Sequence, residues 1–211
     1  AAHVTLKIWH PEAVETFLPL PCGSLVSTAE SGAALASERP GCTTVQAVEI
    51  PTTSISEASA VSVLAYHCER MEESLGQSNG KPGQSFQVRR PPIVARIPPE
   101  ITYLQLALGV EVDASERRDD DWTGSDGKAY RLWQEDENFA GHSASDEVFL
   151  VDRQAGLVQF APAARHAAGQ PMCTLAAVPP PGREIRIWYP HGGGEAGNVL
   201  AGKLTALVSI P

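Results

Sequence analysis

Val148-Phe149-Leu150-Val151-Asp152-Arg153-Gln154-Ala155-Gly156-Leu157-Val158-Gln159-Phe160 is the stretch on which the fold turns. Two short runs rich in β-branched and aromatic residues flank a polar, glycine-ended break, the pattern of an antiparallel hairpin turning near Gln154 to Gly156. Alternation along the strands places Phe149, Val151 and Leu157 facing inward.

The same grammar runs outward in both directions. Residues 3–9 alternate with period two, as do residues 59–67, and residues 43–50 are rich in β-branched residues and end at Pro51. Residues 24–29, 86–88, 104–112, 129–133, 184–189 and 199–210 are further strand candidates. In 184–189, Ile185 and Ile187 share one face and Trp188 lies on the other. Residues 69–75 fit a single helical turn, and the polar, acidic residues 113–127 form a solvated loop. Residues 161–178 are an Ala-rich connection. No strand–helix alternation and no 20–50-residue repeat is visible.

Composition agrees. The 211 residues include 18 glycines and 17 prolines, with 6% aromatic and 19% charged residues. That much backbone punctuation favours many short strands over a helical bundle, and the 43% apolar content suffices for a packed core. The expected fold is mainly β with little helix: two sandwich- or barrel-like units, residues 1–90 and 91–211, joined by the Pro-rich stretch around Pro91-Pro92 and Pro98-Pro99. No apolar run is long enough for a membrane-spanning helix. A formal charge of −9 without a Lys/Arg cluster disfavours nucleic acid as a partner. Cys22, Cys42, Cys68 and Cys173 are widely spaced and read as buried reduced thiols. The chain begins Ala1-Ala2-His3 and stops at Ile210-Pro211 after an apolar run, so an internal portion of a longer protein is expected.

Few residues promise chemistry. Gly76-Gln77-Ser78-Asn79-Gly80 matches G-x-S-x-G, and His191-Gly192-Gly193-Gly194 matches the oxyanion element of esterases. A nucleophile elbow needs a helix after the serine, yet Lys81-Pro82-Gly83 follows; the oxyanion element should precede the serine, yet it lies over a hundred residues later. Two glycine turns explain both motifs. Six histidines include no H-x-x-x-H pair, and adjacent His67-Cys68 would point to opposite faces of a strand. Asp119-Asp120-Asp121 and Asp126 lack EF-hand spacing, and the glycine run at 192–194 lacks the Lys-Ser/Thr and helix of a phosphate loop. No catalytic, cofactor or metal residue is expected.

Three blocks, in order, resemble the J-type baseplate assembly (wedge) protein family of contractile phage tails and contractile injection systems. The first is Leu75-Gly76-Gln77-Ser78-Asn79-Gly80-Lys81-Pro82-Gly83-Gln84-Ser85-Phe86. The second runs from Trp133 and Phe139 through Val148 to Asp152-Arg153, then Gly156 to Phe160. The third is Pro180-Pro181-Gly182-Arg183-Glu184-Ile185, Tyr189, Gly192-Gly193-Gly194 and Gly197-Asn198-Val199. One departure stands out: many members continue Phe-Gly-Asp-Gly where this chain has Phe160-Ala161-Pro162-Ala163. Members are several times longer than this chain. The resemblance implies a structural wedge component that surrounds the central spike and hub, contacting other copies or paralogues and sheath-proximal proteins. It implies assembly in the bacterial cytoplasm into a phage tail-like particle or virion baseplate, without catalysis or cofactor. Trp9, Trp122, Trp188 and Arg153 are candidate interface anchors, with a core role for Trp188 as the alternative. The competing function is a carbohydrate- or ligand-binding β-sandwich, whose aromatics would line one open groove.

Overall fold

The computed structural model describes residues 3–10, 15–28, 41–94, 97–164, 172–192 and 204–210. The chain is mainly β, 46% strand against 4% helical. Among the described residues, no helix is long and apolar enough to cross a membrane.

Contacts divide the chain into two units, but not at residue 90. One unit comprises residues 1–70, 94–105 and 190–211; the other comprises 71–93 and 106–189. The Pro-rich stretch does not act as a linker at Pro91-Pro92, because the residues around it are tied to the 148–160 hairpin. Val88 donates its N–H to Gly156 O at 2.9 Å, and Ile93 donates to Arg153 O at 2.8 Å. The second unit is thus an excursion of the chain from the first.

In the first unit, strands β1 (His3–Ile8), β3 (Leu25–Thr28), β4 (Gly41–Thr44), β6 (Val61–Tyr66) and β17 (Leu204–Ser209) form an antiparallel sheet in the order β1-β6-β4-β3-β17. It curls into a half-barrel. Strands β2 (Leu18–Leu20) and β5 (Val48–Ile50) pair separately. The run expected over residues 43–50 is therefore two strands, broken by a turn. One small core gathers Leu20, Ile50 and Val63; another gathers Tyr66, Cys68 and Leu104.

In the second unit, eight strands form one sheet in the order β7-β16-β9-β11-β12-β13-β8, with β10 pairing off β11, and the sheet curls nearly into a barrel. They are β7 (Glu69–Gln77), β8 (Ser85–Gln87), β9 (Ala107–Glu111), β10 (Trp122–Thr123), β11 (Ala129–Glu135), β12 (Val148–Asp152), β13 (Leu157–Phe160) and β16 (Glu184–His191). A small separate pair, β14 (Ala163–Ala164) and β15 (Cys173–Thr174), lies in the Ala-rich connection. Residues 69–75 are strand, not helix: they pair with β16, and the buried Glu73 accepts the Tyr189 hydroxyl. Tertiary pairing overrides the local helix formers there.

The hairpin pairs antiparallel, Phe149 with Phe160 and Val151 with Val158. Leu157 lies opposite Asp152, so it sits on the other face; Val158 and Phe160 fill the inward positions instead. The four-residue loop 153–156 sets that register, and it shifts the return strand by one position from the expected face. The core here is larger: Phe149, Val158, Phe160, Trp133, Leu108, Val110, Ile185, Ile187 and Tyr189 belong to one cluster. Ring edges meet ring faces between Phe160 and both Trp133 (5.2 Å) and Phe86 (6.0 Å).

None of the four cysteines is in a disulfide. Cys42 and Cys68 are buried, which pushes their thiols up to about 11 and about 12. Cys22 is half-buried and Cys173 is exposed, so burial does not hold for all four.

Candidate functional site

Segments of the three blocks that carry the family resemblance (residues 76–84, Phe160 and 181–183) meet at one loop junction of the second unit. Gly76, Gly80 and Gly83 all have positive φ (131°, 72° and 77°), which glycine adopts without the Cβ clash that other residues suffer. They let the chain fold back on itself between β7 and β8. Ser78 sits in this loop, 4% exposed, and its hydroxyl is fully engaged. It donates to Pro179 O at 2.6 Å and accepts from Gly80 N–H and Gln84 Nε2, both at 3.0 Å. Gln84 uses its other amide end as well, accepting Asn79 N–H at 2.8 Å.

The third block is tied to the first by its backbone. Ser78 N–H donates to Arg183 O and Gly182 N–H donates to Ser78 O, each at 2.8 Å. A Cβ on Gly80 would come within 3.0 Å of Pro181, so the two turns are in close contact. The second block joins through Gly83 N–H to Ala161 O at 2.8 Å and Phe160 N–H to Gln84 O at 2.9 Å. At the departure from the family pattern, Ala161 is fully buried, and Pro162 O accepts Leu175 N–H at 3.1 Å.

The remaining motif positions serve turns and core. Asp152 Oδ1 accepts the N–H groups of Gln154 (3.0 Å) and Ala155 (2.9 Å), closing the hairpin turn that ends at Gly156, φ 69°. Pro82 is exposed in its turn. Tyr189 is buried and donates its hydroxyl to Glu73 Oε1 at 2.9 Å. Burial and that acceptor push its phenol well above the usual range. Gly192 belongs to the first unit, where a Cβ would meet His67 O at 3.1 Å. Gly193, Gly194, Gly197 and Asn198 lie outside the described residues.

Ser78 is thus a buried tie between turns. Its proton is directed to a carbonyl, and its oxygen accepts two donors, which leaves it poorly set for nucleophilic attack. Among the described residues, no group of three His, Cys, Asp or Glu side chains could hold a metal ion. Two acidic residues of the 113–127 loop pair instead with cations of the sheet. Asp121 pairs with Arg131 at 3.2 Å, and Asp126 with Arg186 at 2.9 Å.

A polar cluster on the outer face of β16 was not legible in the sequence. Arg186 reaches Glu72 (2.9 Å), Glu184 (2.8 Å) and Asp126 (2.9 Å), and donates from Nε to Tyr130 Oη at 3.0 Å. Lys128 adds contacts to Glu184 (2.9 Å) and Glu111 (3.0 Å). Burial alone would raise the Glu184 carboxyl, but hydrogen bonds from Lys128, Arg186 and Ser74 outweigh it and hold it down at about 2. Desolvation likewise opposes ionisation of Glu72, and its bonds from Ser125, Arg186 and Trp188 prevail, so it also falls. Two residues along β16, Trp188 is 1% exposed and stacks with Trp122 (5.6 Å) and Tyr130 (5.7 Å). The core alternative for Trp188 holds. Arg153 is half-buried and pairs with Glu135; Trp9 and Trp122 are exposed. The charged residues at alternate positions 184 and 186 are the one signal that could have marked this face; Glu72 and Asp126 reach it only through folding.

Comparison of the chain with protein-family models, curated proteins and solved structures finds no match in any of the three.

Proposed function

We propose that this chain is a structural portion of a baseplate wedge protein in a contractile injection system or phage-like tail. In this reading it assembles in the bacterial cytoplasm and works by holding neighbours: other wedge copies or paralogues, hub and spike proteins, and sheath-proximal proteins. Catalysis, cofactors and nucleic acid have no part in it.

One observation carries the proposal. Segments of the three resembling blocks interlock at a single junction, in which Ser78 exchanges backbone hydrogen bonds with Gly182 and Arg183, and Gln84 meets Phe160. A shared set of turns at one structural joint is what a fold signature requires, whereas a catalytic signature would converge reactive groups on an open site. The carbohydrate-binding alternative gains little, since exposed Trp9 and Trp122 belong to different units and so do not line a groove within either.

Imaging of the native particle with this chain located in it tests the reading. Several copies are expected in a closed ring, six-fold or a multiple, because heterologous contacts close into rings. A chain found as a free monomer, with no surface buried by a baseplate neighbour, overturns it.

A further inference from the structure

The first unit leaves a cleft of about 340 Å³ between the two ends of its half-barrel. Lys7 and Ile8 of β1, the adjoining Trp9 and residues 204–207 of β17 line it, over Leu18 and the buried Leu20 and Val26. Successive side chains of a strand point to opposite faces, so a pocket on one face would be lined by alternate residues. β1 and β17 are the two end strands of the sheet, and consecutive residues of both line this cleft, β17 in irregular register with β3, so the cleft lies along their edges. Those edges are open: β1 pairs only with β6, and β17 only with β3, among the described residues.

The surroundings are apolar. Of ten exposed large apolar side chains among the described residues, six (Trp9, Phe17, Leu18, Leu207, Val208 and Ile210) lie on or beside β1, β2 and β17. Patches of this kind mark interaction sites, and open edges recruit strands. The open edges select the occupant. The cleft is near the lower limit of ligand-sized cavities, ~300 Å³. A folded partner would need ~800 Å² of surface on each side; one extended segment needs only an edge and room for alternate side chains.

We propose that the cleft is a strand-addition site, filled by an extended segment of a partner protein. That segment hydrogen-bonds to the free edge of β1 or β17 and places alternate apolar side chains against Leu18, Leu20 and Val26. This inference is carried by edge geometry and does not rest on the baseplate reading.

The test titrates the whole chain with a capped peptide, acetyl-Lys-Thr-Val-Thr-Ile-Thr-Val-Lys-amide, and follows amide hydrogen exchange. Saturable slowing of at least about tenfold is expected at amides of β1 or β17, with no change in the second unit. A control peptide with proline at its central position should leave exchange unchanged, since it cannot complete the ladder. Leu207→Lys should abolish the slowing by placing a charge in the cleft; because Leu207 is exposed, the fold should persist, as unchanged exchange in the second unit would verify. Trp9→Ala should weaken binding by removing one apolar wall. Absence of slowing at millimolar peptide overturns the proposal, as does slowing confined to other strands. Protection of the same edges that rises with protein concentration alone, without peptide, also overturns it, since the occupant would then be a second copy.

Discussion

The two units solve the problem of sheet edges differently. In the second, the sheet curls nearly closed over a core of eleven buried residues, and polar side chains on its outer face are paired with one another. In the first, among the described residues, the sheet is a half-barrel, two buried clusters contain three residues each, and apolar side chains stand exposed at its end strands. A sheet curled nearly closed, with β7 and β8 as its end strands, wraps its apolar face around a core and stores its stability inside. An open one leaves backbone groups and apolar surface available to something else. The second unit is therefore where mutations should cost stability, and the first is where they should alter association.

Hydrogen exchange resolved by segment can break this contrast, because it reads each unit separately. The largest effect should come from Phe160→Ala, which empties the space between Trp133 and Phe86. A loss of about 3–5 kcal/mol in the second unit is expected. A loss below 1 kcal/mol would mean that this core is loosely packed and the contrast false.

Acid should act next. Glu184 has a carboxyl held at about 2 in the fold, against 4.5 ordinarily, so its contribution is complete above pH 4.5 and disappears as pH falls through 2. That contribution is on the order of 3 kcal/mol. Glu184→Gln should therefore be less stable than the parent at pH 7, with the difference shrinking towards zero near pH 2. A difference independent of pH would show that the Arg186 cluster adds no ionic stabilisation.

Ser78→Ala should cost about 1–3 kcal/mol, because Pro179 O, Gly80 N–H and Gln84 Nε2 each lose a partner in a buried junction. Gly80→Ala should cost about 1–2 kcal/mol from its left-handed backbone alone, with the approach to Pro181 adding to it. Equilibrium urea unfolding measures both. If Ser78→Ala instead removed a hydrolase activity while leaving stability intact, the serine would be a nucleophile and not a tie.

The smallest change is expected in the first unit. Leu207→Lys should alter stability by no more than about 0.5 kcal/mol, since the side chain is 44% exposed. A loss of 2 kcal/mol or more would place Leu207 in a core and remove the open cleft from the comparison.

Sequence alone determined what depends on neighbours in the chain. The period-two runs at 3–9, 59–67 and 184–189, the hairpin over 148–160 and the glycine turns around Ser78 were all legible, because side-chain alternation and positive φ are local properties. It also separated Ile185 and Ile187 from Trp188, which the strand pleat places on opposite faces. Tertiary structure decided whatever depended on residues far apart. Only folding showed that residues 69–75 are a strand, since their partner β16 begins more than a hundred positions later. Only the register of the closed hairpin put Leu157 opposite Asp152. The junction of the three blocks, the four-way grip on Arg186 and the two open edges of the half-barrel are likewise products of long-range pairing. Their free energy comes from contacts that no single stretch of chain contains.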